Sequence, residues 1–129
     1  MKRALFALAG IAIALAAVDL AHKADAGPVH LHERSASYVF FALVLMSAWT
    51  SALLATRSLS LAAAGGVVAG GAIGNLASVA VWSGVPNPLV VEPFAFNLAD
   101  VFVVTGFVLT ALAMLAFAIR NRDRLREPV

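Results

Sequence analysis

The sequence predicts an all-α integral membrane protein with four transmembrane helices, both termini in the cytoplasm and short outer loops. Composition, long apolar stretches and the placement of basic residues lead to this class. Hydrophobic residues make up 62% of the 129 residues, only 12% are charged, and the mean hydropathy is +0.94. Soluble domains have about 45–50% apolar and about 25% charged residues. A water-soluble enzyme, a nucleic-acid-binding domain and a disordered tail are therefore excluded.

Four stretches are long enough to cross a membrane, because a span needs about 20 mostly apolar residues. They form one membrane domain, with helices at about residues 4–20, 38–55, 59–82 and 97–119. A basic cytoplasmic tail, residues 120–129, follows the last helix. Ala24-Asp25-Ala26 before Gly27 also has the A-x-A pattern of a cleavable signal. Cleavage there would leave three spans, and the uncleaved four-span form is the one we predict.

The basic residues predict how the helices are oriented. With four spans both termini lie on one side, and seven of the nine Lys and Arg residues fall on that side. Only Lys23 and Arg34 fall on the other side. Because Lys and Arg are enriched in cytoplasmic segments, both termini are predicted to be cytoplasmic, and the segments 21–37 and 83–96 to face outward. The arginines of the tail fix this topology, with contact to anionic lipid head groups as the alternative.

Small residues form a stripe on the third predicted helix, where Gly66, Gly70 and Gly74 recur every four residues. Glycines let membrane helices approach until their backbones touch. We therefore predict a helix-packing face within the protein. A docking face for another protein is the alternative that the sequence leaves open.

Polar side chains interrupt the apolar helices at a few positions, and each requires an explanation. The predicted helix directions place five of them in the outer third of the membrane: Asp19, Asn75, Ser78, Asn97 and Asp100. Asp19 and Lys23 have the spacing of an ion pair on one helix, and Asn97 can cap the fourth helix with Asp100 at its third position. Polar residues also collect where helices meet water. That explanation does not fit Asn75, which lies seven residues below the end of its helix.

The sequence predicts no metal site and no cofactor. Cysteine is absent, which excludes a thiolate metal site and a thiol nucleophile. His30 and His32 would share a face of an extended strand, as two metal ligands do. No further spacing supports a metal site, so a solvated loop is the preferred explanation.

Several runs of residues resemble motifs of the bacterial lipoprotein signal peptidases (signal peptidase II). Gly70-Gly71-Ala72-Ile73-Gly74-Asn75 resembles the G-G-A-x-G-N motif of that family. Phe96-Asn97-Leu98-Ala99-Asp100 resembles its F-N-x-A-D motif. Val18-Asp19 with Lys23 is similar to the V-D-Q-x-x-K end of its first helix, and Val90-Val91-Glu92 to its V-V-D. The motif order and the four-span topology fit as well.

The resemblance implies a membrane aspartic peptidase that cuts the signal peptide from diacylglyceryl-modified prolipoproteins at the outer face of the inner membrane. Such an enzyme uses two carboxylates that share a proton and activate a water. The resemblance places the second acid at Asp100, but the first falls at Ser78, and Val79 replaces the arginine that follows it. The N-x-G-A-A-F motif of the first outer loop is also lost, since Glu33–Tyr38 keeps only one Ala and an aromatic residue.

These two departures predict that the chain is not an enzyme. The predicted function is a non-catalytic accessory or lipid-binding subunit of a larger cell-envelope complex in the bacterial cytoplasmic (inner) membrane. Its predicted partners are membrane lipids and other membrane protein subunits, with a lipid transporter as the first candidate, and no nucleic acid. Asp100 and Ser78 are then remnants, and the polar residues of the groove are Asp19, Lys23, Asn75, Asn97 and Asp100. The alternative is an active peptidase that uses Asp100 with an unrecognised second acid.

Overall fold

The computed structural model describes residues 1–26 and 30–122. Within this part the chain forms four helices: α1 (Lys2–Ala26), α2 (Ala36–Ala55), α3 (Leu59–Trp82) and α4 (Leu98–Arg120). It also forms four short strands: β1 (Leu31–His32), β2 (Val85–Pro86), β3 (Leu89–Val91) and β4 (Phe94–Phe96). Each helix is long and apolar enough to cross a membrane. The predicted fold class of four membrane-spanning helices is confirmed.

Local signals in the sequence set the helix ends. Ser35 and Ser58 cap α2 and α3 by accepting a backbone N–H with their hydroxyls. Asn97 and Asp100 form a reciprocal capping box at the start of α4. The structure differs from the sequence prediction at α1, which continues to Ala26 instead of ending at residue 20. The reason is that Lys23 is buried in an ion pair with Asp19 inside the bundle, so this pair does not mark the exit of the helix into water.

Two features predicted from the sequence fall partly outside the described residues. Residues 123–129 of the basic tail lie outside them, and α4 ends at Arg120. Gly27, which would follow the A-x-A cleavage pattern, also lies outside them, whereas Ala24-Asp25-Ala26 is the helical end of α1.

Helix α3 is the centre of the bundle and contacts α1, α2 and α4. Its glycines allow the closest approaches. A Cβ atom added to Gly70 would lie 2.8 Å from Leu15 Cβ of α1, and one added to Gly66 would lie 2.8 Å from the Leu8 carbonyl oxygen. On the α4 side, a Cβ on Gly106 would lie 2.6 Å from the backbone nitrogen of Val68. The backbone of α3 therefore packs directly against α1 on one side and α4 on the other.

The short strands lie together at the end of the bundle where α1 and α3 end and α4 begins. Strands β1 and β2 pair in antiparallel fashion with Leu31 opposite Pro86, and β3 and β4 form a hairpin with Leu89 opposite Phe96. The sequence predicted only short outer loops in this region. The pairing of β1 with β2 brings the connection after α1 and the connection after α3 into contact.

The orientation of the bundle across the membrane remains a prediction, for which the seven-to-two split of basic residues is the basis. The protein has no native cysteine, so single cysteines can be introduced without background. We expect cysteines at positions 2 and 126 to resist a membrane-impermeant maleimide in intact cells. Cysteines at positions 34 and 92 should react. Efficient labelling at either of the first two positions would contradict the predicted topology.

Candidate functional site

A cluster of polar side chains lies where the ends of α1, α3 and α4 meet. Helix α1 supplies Asp19 and Lys23, and α3 supplies Asn75 and Ser78. The first turn of α4 supplies Asp100, with Asn97 as its cap. A continuous series of hydrogen bonds links these six residues: Asp19, Lys23, Asn75, Ser78, Asp100 and Asn97.

Lys23 is the centre of this polar cluster and is almost completely buried. Its Nζ donates to Asp19 Oδ2 at 2.6 Å, to Asn75 Oδ1 at 2.9 Å and to Ser78 Oγ at 3.0 Å. An ammonium group has three N–H donors, so each has one acceptor. A buried charge is tolerated only when it is paired and hydrogen-bonded. The ion pair with Asp19 and the two neutral acceptors meet that requirement.

Asp100 lies at the amino end of α4 and is partly exposed. Its Oδ1 accepts a hydrogen bond from Asn75 Nδ2 at 2.9 Å, and its Oδ2 accepts one from the backbone N–H of Asn97 at 3.2 Å. The N-terminal end of a helix dipole also favours a negative charge at this position. The carboxylate is therefore held from both sides, by α3 and by the cap of its own helix.

The other acid of the cluster, Asp19, is fully buried and stabilises the start of α4 from the opposite side. Its Oδ1 accepts the backbone N–H of Ala99 at 2.8 Å, while its Oδ2 bonds Lys23. One carboxylate thus contacts both the lysine of its own helix and the residue that precedes Asp100.

Ser78 is fully buried on the α1 side of the cluster. Its hydroxyl donates to the Gly74 carbonyl at 2.7 Å and accepts from Lys23. Because Ser78 takes the place of the family's first acid, the sequence predicts that it faces Asp100. The residue of α3 that bonds the Asp100 carboxylate is Asn75, and Ser78 instead completes the set of acceptors around Lys23.

A cavity of about 570 Å³ extends from Asp100 between α2, α3 and α4. Its apolar walls include Trp49 and Phe107, whose rings meet edge to face at 5.4 Å between centroids. Of the five predicted groove residues, Asn75 and Asp100 line this cavity. The other three, Asp19, Lys23 and Asn97, do not line it and are buried. The cavity is thus an apolar groove with one polar end.

A second set of hydrogen bonds, which the sequence analysis missed, joins the cluster to the strands. Asn97 Nδ2 donates to Asn87 Oδ1 at 2.6 Å, and Asn87 Nδ2 lies 3.0 Å from His32 Nδ1. Because Asn87 Oδ1 is an acceptor here, its Nδ2 faces the histidine, whose Nδ1 must then accept. The signal in the sequence is Asn87 itself, a polar residue between Pro86 and Pro88.

The histidines of the first connection do not form a metal site in the described part of the chain. There, no three or more His, Cys, Asp and Glu side chains are placed to hold a metal ion. His32 lies in β1 and bonds Asn87, and the carbonyl oxygen of His30 accepts the backbone N–H of Asn87 at 2.8 Å. The contacts of these two histidines with Asn87 hold the segment after β2 against the connection that follows α1.

Comparison with known proteins identifies the family. The family model described as Signal peptidase (SPase) II matches residues 28–116, from the connection after α1 to most of α4. No curated protein and no solved structure matches the chain. The family that was inferred from the glycine-asparagine and F-N-x-A-D motifs is confirmed. The prediction that the chain is not an enzyme is wrong, because the match is to a family of peptidases. The chain belongs to the signal peptidase II family and is a multi-pass membrane protein.

Proposed function

We propose that this protein is an active membrane endopeptidase in which Asp100 is the catalytic carboxylate. Its proposed substrate is a lipid-modified prolipoprotein, cut at the outer face of the bacterial inner membrane. The observation that supports this most directly is the position of Asp100, the only acidic residue among the described residues that line the apolar cavity. The accessory role predicted from the loss of an acid at Ser78 is not retained.

The cavity has dimensions suited to an apolar substituent of such a substrate. Tyr38 and Trp49 line it from α2 and lie eleven residues apart, which corresponds to about 16 Å along a helix. Except for Asn75 and Asp100, its lining is aliphatic and aromatic. An acyl chain or an apolar peptide segment of the substrate in this groove would hold the adjoining polar peptide group beside Asp100. Burial of apolar surface favours this arrangement.

The proposed chemistry uses one carboxylate, first as a base and then as an acid. Asp100 accepts a proton from a water whose oxygen adds to the carbonyl carbon of the scissile peptide. The amide of Asn75 carries a second N–H besides the one bonded to Asp100, and in this proposal it donates to the oxyanion. Protonated Asp100 then gives its proton to the peptide nitrogen as the C–N bond breaks. A carboxylic acid and an amine leave, and Asp100 is ionised again.

The test is a cleavage assay with a diacylglyceryl-modified prolipoprotein in liposomes that contain the purified protein. Asp100→Asn should lower kcat by about 10²–10⁴-fold, because it removes the group that accepts and returns the proton. The asparagine keeps one oxygen for the Asn75 amide, and Asn97 still accepts the backbone N–H of residue 100. The bond from the Asn97 N–H is lost, which costs about 0.5–2 kcal/mol as loss of a helix cap does, so the protein should remain folded with a modestly lower melting temperature.

Glu92→Gln is the matched control, because Glu92 is an exposed acid at the turn between β3 and β4. We expect this variant to keep wild-type kcat. An equal loss of activity in both variants would identify Glu92 as a second catalytic acid and contradict the single-carboxylate mechanism. Absence of cleavage by the wild-type protein would contradict the proposed function itself.

A further inference from the structure

We propose that Lys23 is a positioning residue for the reaction: it orients the Asn75 amide and, through it, the Asp100 carboxylate. This inference rests on the proposed function. It concerns the contact of α1, which precedes the matched residues 28–116, with Asn75 of α3. The supporting observations are the three hydrogen bonds of Lys23 and the hydrogen bond from Asn75 to Asp100.

The side chain of Asn75 can present either an acceptor or a donor to Asp100, and Lys23 decides which. A lysine ammonium has donors only. Its contact at 2.9 Å must therefore be with the carbonyl oxygen of the Asn75 amide, and the NH₂ group then faces Asp100 Oδ1. Rotation of the amide by half a turn would place NH₂ against the ammonium and oxygen against the carboxylate. Both contacts of the rotated amide would be repulsive.

Lys23 can hold this orientation because it is itself held in place. Asp19 and Ser78 bind its other two N–H groups at 2.6 and 3.0 Å. Asp19 also bonds the backbone of Ala99, the residue before Asp100. The Asp19–Lys23 pair therefore acts on Asp100 in two ways. Lys23 bonds the Asn75 amide that bonds the Asp100 carboxylate, and Asp19 bonds the first turn of α4, from which Asp100 extends.

The bundle is built so that this ion pair can approach α3. A Cβ atom added to Gly74 would lie 2.5 Å from Asp19 Oδ2, which is closer than two such atoms can approach. Glycine at position 74 thus leaves the space that the Asp19 carboxylate occupies. Without it, the lysine could not be placed between Asp19 and Asn75 at hydrogen-bonding distances.

The double variant Asp19→Asn/Lys23→Met tests positioning separately from stability. It has the same net charge as the wild type and leaves no buried charge unpaired, and the asparagine introduced at position 19 still offers an oxygen to the Ala99 N–H. We expect kcat to fall about 10–100-fold, as misplacement of a catalytic group by about 1 Å does. KM should stay within about twofold, because Asn75 and Asp100 remain at the groove and the apolar lining is unchanged.

Thr110→Val is the matched control for loss of a buried polar group. Thr110 is buried in α4 and donates to the Gly106 carbonyl at 2.8 Å, and it does not line the cavity. We expect its kcat to equal that of the wild type. Wild-type kcat in the double variant would overturn the proposal, because Lys23 would then serve stability alone.

A measurement independent of activity follows the Asn75 amide directly. The chain has four asparagines, so selective ¹⁵N labelling gives four side-chain NH₂ signals in the wild type, which single substitutions assign. Asp100→Asn should shift the Asn75 signal in the wild-type background and leave it unshifted in the double-variant background. An equal shift in both backgrounds would overturn the proposal. If this result holds but the wild type cleaves no prolipoprotein, the proposed function fails while the positioning contact stands.

Discussion

Replacing Gly70 with leucine should separate α1 from α3 and unfold the protein at a much lower temperature. A Cβ atom at this position would lie 2.8 Å from Leu15 Cβ and 3.1 Å from the Ala12 carbonyl oxygen. No choice of rotamer moves a Cβ atom, so the helices themselves must move apart. Overpacking of a core usually costs about 1–3 kcal/mol and occasionally more. We expect Gly70→Leu to reach at least the upper end of that range, measured by unfolding in mild detergent.

Gly10→Leu provides the matched control for this substitution. Gly10 lies on α1, and a Cβ atom added there would meet nothing within 4 Å. Its replacement should leave the stability unchanged or raise it by about 0.5–1 kcal/mol, because glycine is unfavourable within a helix. Equal melting temperatures for the two variants would show that close packing at Gly70 does not hold α1 in place.

The positions of the helices could be read from the sequence because length and apolarity alone determine a span. The start of α3 at Leu59 and its end at Trp82 agree with the prediction. The end of α1 could not be read in the same way. Asp19 and Lys23 have the spacing of an ion pair, and such a pair is equally compatible with a helix end at the membrane surface. Only the space above Gly74, which is a tertiary feature, shows that they are buried against α3.

The sequence identifies the polar residues that meet at the site, because their depths in the membrane follow from their positions along the helices. It does not identify which of these residues bond each other. Height is a one-dimensional property that follows from sequence position and helix rise. Which of Asn75 and Ser78 faces Asp100 depends on the rotation of α3, and that rotation is set by the glycine contacts with α1 and α4. Ser78 is recognisable in the sequence as the position of the missing acid, whereas nothing in the motifs indicates that the Asn75 amide bonds Asp100.

The contact of Asn87 with His32 could not be predicted from the sequence, because the two residues are 55 positions apart. Strands of two or three residues contain too little alternation to be predicted from periodicity. The pairing of β1 with β2 joins distant parts of the chain, so no local sequence pattern in Leu31–His32 or in Val85–Pro86 predicts it. The bonds of Asn87 with His30 and His32 depend on this long-range pairing.

Lys23→Met alone should be the most destabilising single change in the polar cluster. It would remove the ammonium 2.6 Å from Asp19 Oδ2 and leave a fully buried carboxylate without its counter-charge. Breaking a buried ion pair by removing one partner costs about 3–5 kcal/mol. Asn75 and Ser78 would lose a donor as well. We expect a loss of stability in this range, measured by reversible unfolding in detergent.

Adding Asp19→Asn to Lys23→Met should restore most of the stability, because a buried pair replaced by neutral groups is often tolerated at little cost. The double variant would then be stable yet impaired in turnover. That combination separates the two effects of one lysine: its charge balances Asp19, and its N–H groups direct Asn75 toward Asp100. If Lys23→Met alone keeps wild-type stability, Asp19 does not require the lysine as a counter-charge. The ion pair would then not be what holds Lys23 between α1 and α3.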